Sequence, residues 1–238
     1  MKTKLYGIGV GPGDPEYLTL KAKRIMNSVD VLICPSKSED AESFAYEIVK
    51  PNMENKDVEV LKMIFPMHYK THDLKKKWAE NGKVISDLLS QGKTCGFITL
   101  GDPTVYSTFI YTLPYIDDAV MDLELIPGIT SFCAVASEIK QPLMVWEESL
   151  KVMPVRKNSK DHLIQAVGEH DNLVLMKPSS DTQAIVEAIR HHGLENNFML
   201  ISKVGTEGSH MIRDIEVLEN TKLPYLSTMI IKKGGFRD

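Results

Sequence analysis

The sequence predicts an α/β protein of two domains, with a mostly parallel sheet in the N-terminal half and a mixed sheet in the C-terminal half. Three observations carry this. Short apolar runs alternate with helix-period stretches along most of the chain, the pattern of a sheet covered by helices. The links between them are short and punctuated by Gly and Pro. Near the end, the apolar runs at 211–217 and 226–232 follow one another without a helical stretch between them, a sign of antiparallel pairing. A length of 238 residues allows two small domains. The polar stretch Tyr115-Ile116-Asp117-Asp118 sets the expected boundary, giving domains 1–118 and 119–238.

In chain order, Lys4–Val10 reads as a buried first strand, broken by Gly11-Pro12-Gly13-Asp14-Pro15. Thr19 caps a helix to Met26. Val29–Cys34 is a second strand, stopped by Pro35, and Ser43–Val49 a helix, ended by Pro51. Val58–Phe65 alternates as a third strand. Lys75–Gln91 is a longer helix, closed by Gly92 as the residue after its C-cap. Cys95–Ile98 leads into Thr99-Leu100-Gly101-Asp102-Pro103, and a helix follows from about Val105 to Leu113, with Pro103 suited to its first turn and Asp102 to capping. Met121–Ile126 is a fifth strand; Pro127-Gly128-Ile129-Thr130-Ser131 then opens a helix over Phe132–Ile139. Beyond it come a strand at Ser149–Pro154, a helix at Asp161–Val167, a strand at Asn172–Met176, a helix at Thr182–His191 stopped by Gly193, and a strand at Asn197–Ser202.

Composition narrows the function. Hydrophobic residues make up 43% and charged residues 25%, an ordinary globular balance. A net charge of −4 gives no general attraction to nucleic acid or anionic lipid. No apolar run approaches the roughly 20 residues of a membrane span, and Leu5–Val10 is too short for a signal-peptide core. The three cysteines, Cys34, Cys95 and Cys133, lack framework spacing, so free thiols in a reducing cytoplasm are expected.

Function is expected where strands end. Gly7, Gly9 and Gly11 invite a dinucleotide fingerprint, but Pro12 and Asp14 stand where its last glycine is required. The loop is shaped for close approach rather than as a phosphate cradle. The loops at 11–13, 100–102, 127–131 and 176–178, with Gly205, come from both halves; if they converge they line one cleft between two domains. His68 and His72 are four apart but lack H-E-x-x-H and a third ligand, so no protein-held metal is expected. His191-His192 suits a helix C-terminus. Cys34 reads as a buried, inert thiol. Lys70, Lys151, Arg156, Lys157, Lys177 and Arg213 fall on or near loops and could meet a polycarboxylate.

Three stretches in order, 9–22 (Gly-Val-Gly-Pro-Gly-Asp-Pro-Glu-Tyr-Leu-Thr-Leu-Lys-Ala), 100–108 (Leu-Gly-Asp-Pro-Thr-Val-Tyr-Ser-Thr) and 127–132 (Pro-Gly-Ile-Thr-Ser-Phe), resemble the tetrapyrrole methylase family. These are S-adenosylmethionine-dependent enzymes of cobalamin and siroheme synthesis. Phe65-Pro66-Met67, Trp78, Tyr106-Ser107-Thr108 and Leu175-Met176-Lys177 look most like the branch that methylates C-20 of precorrin-2 or cobalt-factor II. The siroheme branch reads Gly-Gly-Asp-Pro-Phe where this chain has Leu-Gly-Asp-Pro-Thr.

The resemblance implies two α/β domains with the cofactor in the cleft between them, a homodimer, a tetrapyrrole substrate, S-adenosylmethionine as methyl donor and no protein-bound metal. By motif match, the cofactor contacts would be Pro12, Leu100, Gly101, Asp102, Val105, Thr130, Ser131, Met176, Gly205 and Thr228, and Lys177 and Arg156 would meet substrate carboxylates. Asp102 is the expected catalytic residue, orienting cofactor or substrate and helping with the proton lost from C-20. Two further readings stand beside this one: another tetrapyrrole methylase, acting at a different ring carbon or on uroporphyrinogen III, and a non-catalytic tetrapyrrole-binding protein.

Overall fold

The computed structural model describes residues 2–66 and 71–237, with the backbone alone at 71 and 72. Met67, His68 and Lys70 lie outside the described residues, and so do the side chain of His72 and the expected histidine pair. The chain forms two compact units, Met1–Thr130 and Ser131–Asp238.

The first unit is built on β1 (Thr3–Gly9), β2 (Val31–Ser36), β3 (Glu59–Ile64), β4 (Cys95–Thr99) and β5 (Met121–Ile126). They form a sheet of order β3-β2-β4-β1-β5 in which every pairing is parallel. Such a sheet must be covered on both faces, so its middle strand is apolar at nearly every position. β4, Cys-Gly-Phe-Ile-Thr, is buried at every position. One face packs on α1 (Leu20–Met26) and α2 (Phe44–Val49) through Ala22, Ile25, Met26, Ala45, Ile48 and Val49. The other packs on α3 (Thr71–Ser90) and α4 (Thr108–Thr112) through Ile85, Leu89 and Phe109. Local chemistry agrees with these bounds. Thr19 accepts the Ala22 N–H at 3.1 Å and Ser43 the Tyr46 N–H at 3.3 Å, each satisfying a first-turn amide that has no helical partner.

The second unit carries β6 (Leu150–Pro154), β7 (Asn172–Met176), β8 (Phe198–Ser202), β9 (His210–Ile212) and β10 (Ser227–Lys232) in the order β6-β7-β10-β8-β9. β6 and β7 are parallel, and the other pairings are antiparallel, so the sheet is mixed as expected. Its helices are α5 (Ser131–Glu138), α6 (Lys160–Glu169), α7 (Thr182–His191) and α8 (Ile215–Asn220).

Four expectations need correction. The boundary near 118 falls short, because β5 lies beyond it and pairs with β1 from Thr3↔Met121 to Ile8↔Ile126. The helix after Asp102 starts at Thr108 with Ser107 as its cap, so Pro103 lies outside it and Asp102 does not cap it. Pro35 belongs to β2: pairing with β4 stops at Ile33, so the missing N–H of Pro35 interrupts no ladder on that side. The run at 211–217 is a strand only to Ile212; Asp214 accepts the Glu216 and Val217 N–H groups and starts α8.

Phe109 is fully buried, with its ring centroid 5.1 Å from that of Phe97. Gly7 leaves room for it, since a Cβ there would lie 2.5 Å from its Cε1. Phe109→Ala is expected to destabilise the first unit by about 3–5 kcal/mol, read as a lower urea midpoint.

Candidate functional site

In the first unit the site grows from strand order. β1 and β4 are neighbours, yet the chain leaves β1 for α1 on one face and β4 for α4 on the other. Between two such strands the loops diverge and leave a crevice at the carboxyl edge of the sheet. Here the loops stay tied at the base. Gly101 N–H donates to the Gly11 carbonyl at 2.8 Å and Gly11 N–H to the Gly101 carbonyl at 3.3 Å. The loop after β5 joins them. A Cβ on Gly9 would lie 2.6 Å from both the Gly101 O and the Gly128 N, and a Cβ on Gly128 would lie 2.2 Å from the Gly101 O. Those neighbours are backbone atoms, which cannot swing aside, so all three loops meet only because these positions lack side chains.

Asp102 completes the junction. Its Oδ1 accepts the Thr104 N–H at 2.8 Å and the Thr104 hydroxyl, and its Oδ2 accepts the Gly128 N–H at 3.0 Å. The residue is 9% exposed. A carboxylate accepts on both oxygens at once, which no neutral side chain of this size does. Beyond it, Val105 N–H donates to the Asp102 carbonyl at 3.2 Å, and the Ser107 and Thr99 hydroxyls are 2.9 Å apart. Tyr106, between these fixed points, is left-handed at φ 50, a conformation costing a non-glycine residue about 1–3 kcal/mol.

In the second unit a hydroxyl-lined edge arises from antiparallel pairing. β10 starts where its neighbours β7 and β8 end, with Thr228 opposite Met176 and Ser227 opposite Ser202. Ser131, the first residue of α5, has its hydroxyl 3.0 Å from that of Thr228 and 3.7 Å from the Met176 sulfur. Val155 N–H donates to the Met176 carbonyl at 2.8 Å, which puts Arg156 next to the Lys177 turn. Lys177 is left-handed at φ 56, and burial pushes its ammonium pKa below the usual lysine value. Lys203 N–H donates to the Leu226 carbonyl at 2.7 Å, so Gly205, at φ 75, lies just past the same edge.

The expected residues therefore fall into two groups. Pro12, Leu100, Gly101, Asp102 and Val105 gather at the first unit's junction, and Ser131, Met176, Lys177, Arg156, Gly205 and Thr228 lie along the second unit's edge. Thr130 is the last residue of the first unit, and its hydroxyl oxygen is buried without a hydrogen-bond partner. Sequence reasoning missed Gly9 and Gly128 as individual positions. Their signal was a glycine at the last residue of one strand and just after another.

The inert reading of Cys34 holds, since burial pushes its thiol up to about 12. The bland reading of the histidine pair holds too: His192 caps α7 and its Nε2 lies 2.8 Å from the Ile164 carbonyl. Among the described residues no group of three His, Cys, Asp or Glu could hold a metal ion. Each unit by itself offers groups of the kind S-adenosylmethionine would need: in the first, close-packed glycine backbone and the orphaned buried hydroxyl of Thr130; in the second, the hydroxyls of Ser131 and Thr228 and the Met176 thioether.

Comparison with known proteins agrees. The family described as Tetrapyrrole (Corrin/Porphyrin) Methylases matches residues 4–216. The chain is 34% identical to a cobalt-precorrin-2 C(20)-methyltransferase of Salmonella typhimurium, over 98% of each chain. It is 36% identical to a probable cobalt-precorrin-2 C(20)-methyltransferase of Methanocaldococcus jannaschii, over 73% of this chain and 72% of that one. In fold it is similar to a uroporphyrin-III C-methyl transferase from Thermus thermophilus complexed with S-adenyl homocysteine, with a TM-score of 0.68, 16% identity and 97% of each chain covered.

The junction predicts two outcomes. Asp102→Asn puts an NH2 group against one backbone donor, which should cost about 1–3 kcal/mol of stability and weaken S-adenosylhomocysteine binding about tenfold in calorimetry. Gly128→Ala forces the backbones apart and should abolish that binding while circular dichroism still reports a folded chain. Wild-type affinity in either variant would refute the assignment.

Proposed function

The chain belongs to the tetrapyrrole methylase family, and from that premise we propose that it is an S-adenosylmethionine-dependent methyltransferase acting on C-20 of precorrin-2 in cobalamin biosynthesis. The observation that carries this is 34% identity over 98% of both chains with a cobalt-precorrin-2 C(20)-methyltransferase. The two relatives described above are named for a cobalt-bearing substrate, which favours the cobalt-loaded ring over the metal-free one.

When bound, S-adenosylmethionine supplies an electrophilic methyl that the electron-rich C-20 takes up by in-line displacement. The protein's share is positioning and exclusion of water, and aligned reactants gain roughly 7–11 kcal/mol from such positioning. Pro12, Leu100, Gly101, Val105 and Gly205 present backbone to the cofactor, Thr130, Ser131 and Thr228 present hydroxyls, and Met176 packs on it. Asp102 orients the loop that holds the cofactor; support for this is that both its oxygens already accept hydrogen bonds from Thr104 and Gly128. Its charge is thereby spread over backbone donors. That suits a reaction in which positive charge leaves sulfur, because a free carboxylate would stabilise the ground state more than the transition state. Lys177 and Arg156 receive carboxylates of the tetrapyrrole. A homodimer in the cytoplasm completes the reading; no described helix is long and apolar enough to cross a membrane.

Labelled S-adenosylmethionine offered with metal-free and with cobalt-loaded precorrin-2 tests this directly, with the methyl position read by NMR. The expected product carries label on C-20, formed faster on the cobalt-loaded ring. Label at another carbon would make the chain a different methylase, and tight binding without transfer would make it a tetrapyrrole-binding protein. Light scattering should give twice the 26.7 kDa chain mass.

A further inference from the structure

Among the described residues, Trp146 is the most exposed large apolar side chain, at 100%. Met144, two residues before it, is 48% exposed. Single exposed aliphatic residues are ordinary, but an indole left wholly in water beside another apolar residue marks an interaction surface.

The chain that carries the ring is fixed. Val145 N–H donates to Glu148 Oε2 at 3.0 Å, and Glu148 N–H returns to the Val145 carbonyl at 3.0 Å. Glu148 also accepts from Asn172 Nδ2 at 3.0 Å. Lys232 Nζ, buried at the end of β10, donates to the Leu143 carbonyl at 3.1 Å and to Asn172 Oδ1 at 2.6 Å. The segment is thus pinned to the second sheet on both sides of Trp146, whose backbone is held left-handed at φ 52. Such strain persists where the surroundings over-determine it. Lys232 pairs with Asn172 at the end of the sheet opposite Thr228 and Met176, so this face is not the cofactor edge.

Beside the ring, an open groove of about 360 Å³ is lined by Ala136, Lys140, Pro142, Leu143 and Met144. Pockets of about 300–1,000 Å³ hold small ring systems, and Trp146, fully exposed, does not fill this one. A projecting ring and an apolar groove on one surface are what a two-fold dimer needs, because its patch must complement itself. The charges agree. Lys140 borders the groove and Glu147 follows the ring, both exposed. A two-fold axis that brings each ring to the other copy's groove brings Glu147 towards the other copy's Lys140, a charged rim around an aromatic anchor.

We propose that two copies of this chain associate through this face, each burying Trp146 in the other's groove and setting Glu147 against the other's Lys140; this rests on the homodimer reading above. Sedimentation equilibrium of the full chain reads the dimer Kd. Trp146→Ala should raise it about thirtyfold or more, the loss of an aromatic anchor at an interface centre. Lys140→Glu and Glu147→Lys should each raise it about tenfold by setting like charges together, and the double variant should return it to within about threefold of the wild type. In a Trp78→Phe background Trp146 is the sole tryptophan, and its emission should shift to the blue as protein concentration passes through the Kd. A dimeric wild type whose Kd ignores Trp146→Ala overturns this inference and leaves the homodimer reading standing, whereas a wild type that stays monomeric fails both. A blue shift on adding anionic vesicles, but not on raising protein concentration, assigns the ring to a lipid surface and overturns it as well. Should circular dichroism show Trp146→Ala unfolded, the charge pair at two exposed positions decides: rescue in the double variant upholds the interface, and no rescue overturns it.

Discussion

Three backbones come closer together at Gly9, Gly101 and Gly128 than any side chain would allow, and the first unit's arrangement depends on that contact. A parallel sheet delivers the ends of all its strands to one edge, and helices of finite width then tend to pull the following loops apart. In the order β3-β2-β4-β1-β5 the three strands that meet are adjacent, β4, β1 and β5. Bare backbone lets them touch; the Gly11–Gly101 bridge and the Asp102 carboxylate then fix how they touch. The result is a junction where three strand-end loops touch through peptide groups rather than side chains.

The second unit reaches a comparable end by different means. Its edge is lined by hydroxyls and a thioether because β10 runs against β7 and β8, so the start of one strand lies beside the ends of two others. Ser131, Met176 and Thr228 meet there although they are far apart in the chain.

Much of this was legible beforehand. The alternation of strand and helix periods announced a helix-covered parallel sheet, because strands buried on both faces must be apolar at successive positions. The mixed sheet was expected, but not for the reason offered: α8 lies between β9 and β10, and the two pair with β8 rather than with each other. The motif loops at 100–102 and 127–131 carried the resemblance to the family whose model the chain matches. What misled was local chemistry with more than one use. Asp-Pro before a helical run looks like a cap and first turn, but Asp102 turns back on Thr104 and reaches Gly128, so the cap passes to Ser107. Met211–Val217 alternates like a strand, yet Asp214 offers its carboxylate to two following amides and starts a helix. The polar stretch before 119 looks like a linker, but a polar turn serves equally between a helix and a strand of one domain, as it does between α4 and β5.

By itself the sequence determined which segments are strands and helices, which loops carry glycine, proline and hydroxyls, and the family whose motifs those loops bear. These are local properties, set by side-chain period, by backbone freedom and by capping chemistry within a few residues. The tertiary structure alone decided that Gly9, Gly101 and Gly128 share one point, that Asp102 spends both oxygens on backbone donors, and that Tyr106 is forced left-handed between two fixed turns. Each of these depends on which strands lie side by side. Strand order is settled by how the whole apolar surface is buried, and no window of sequence contains that information.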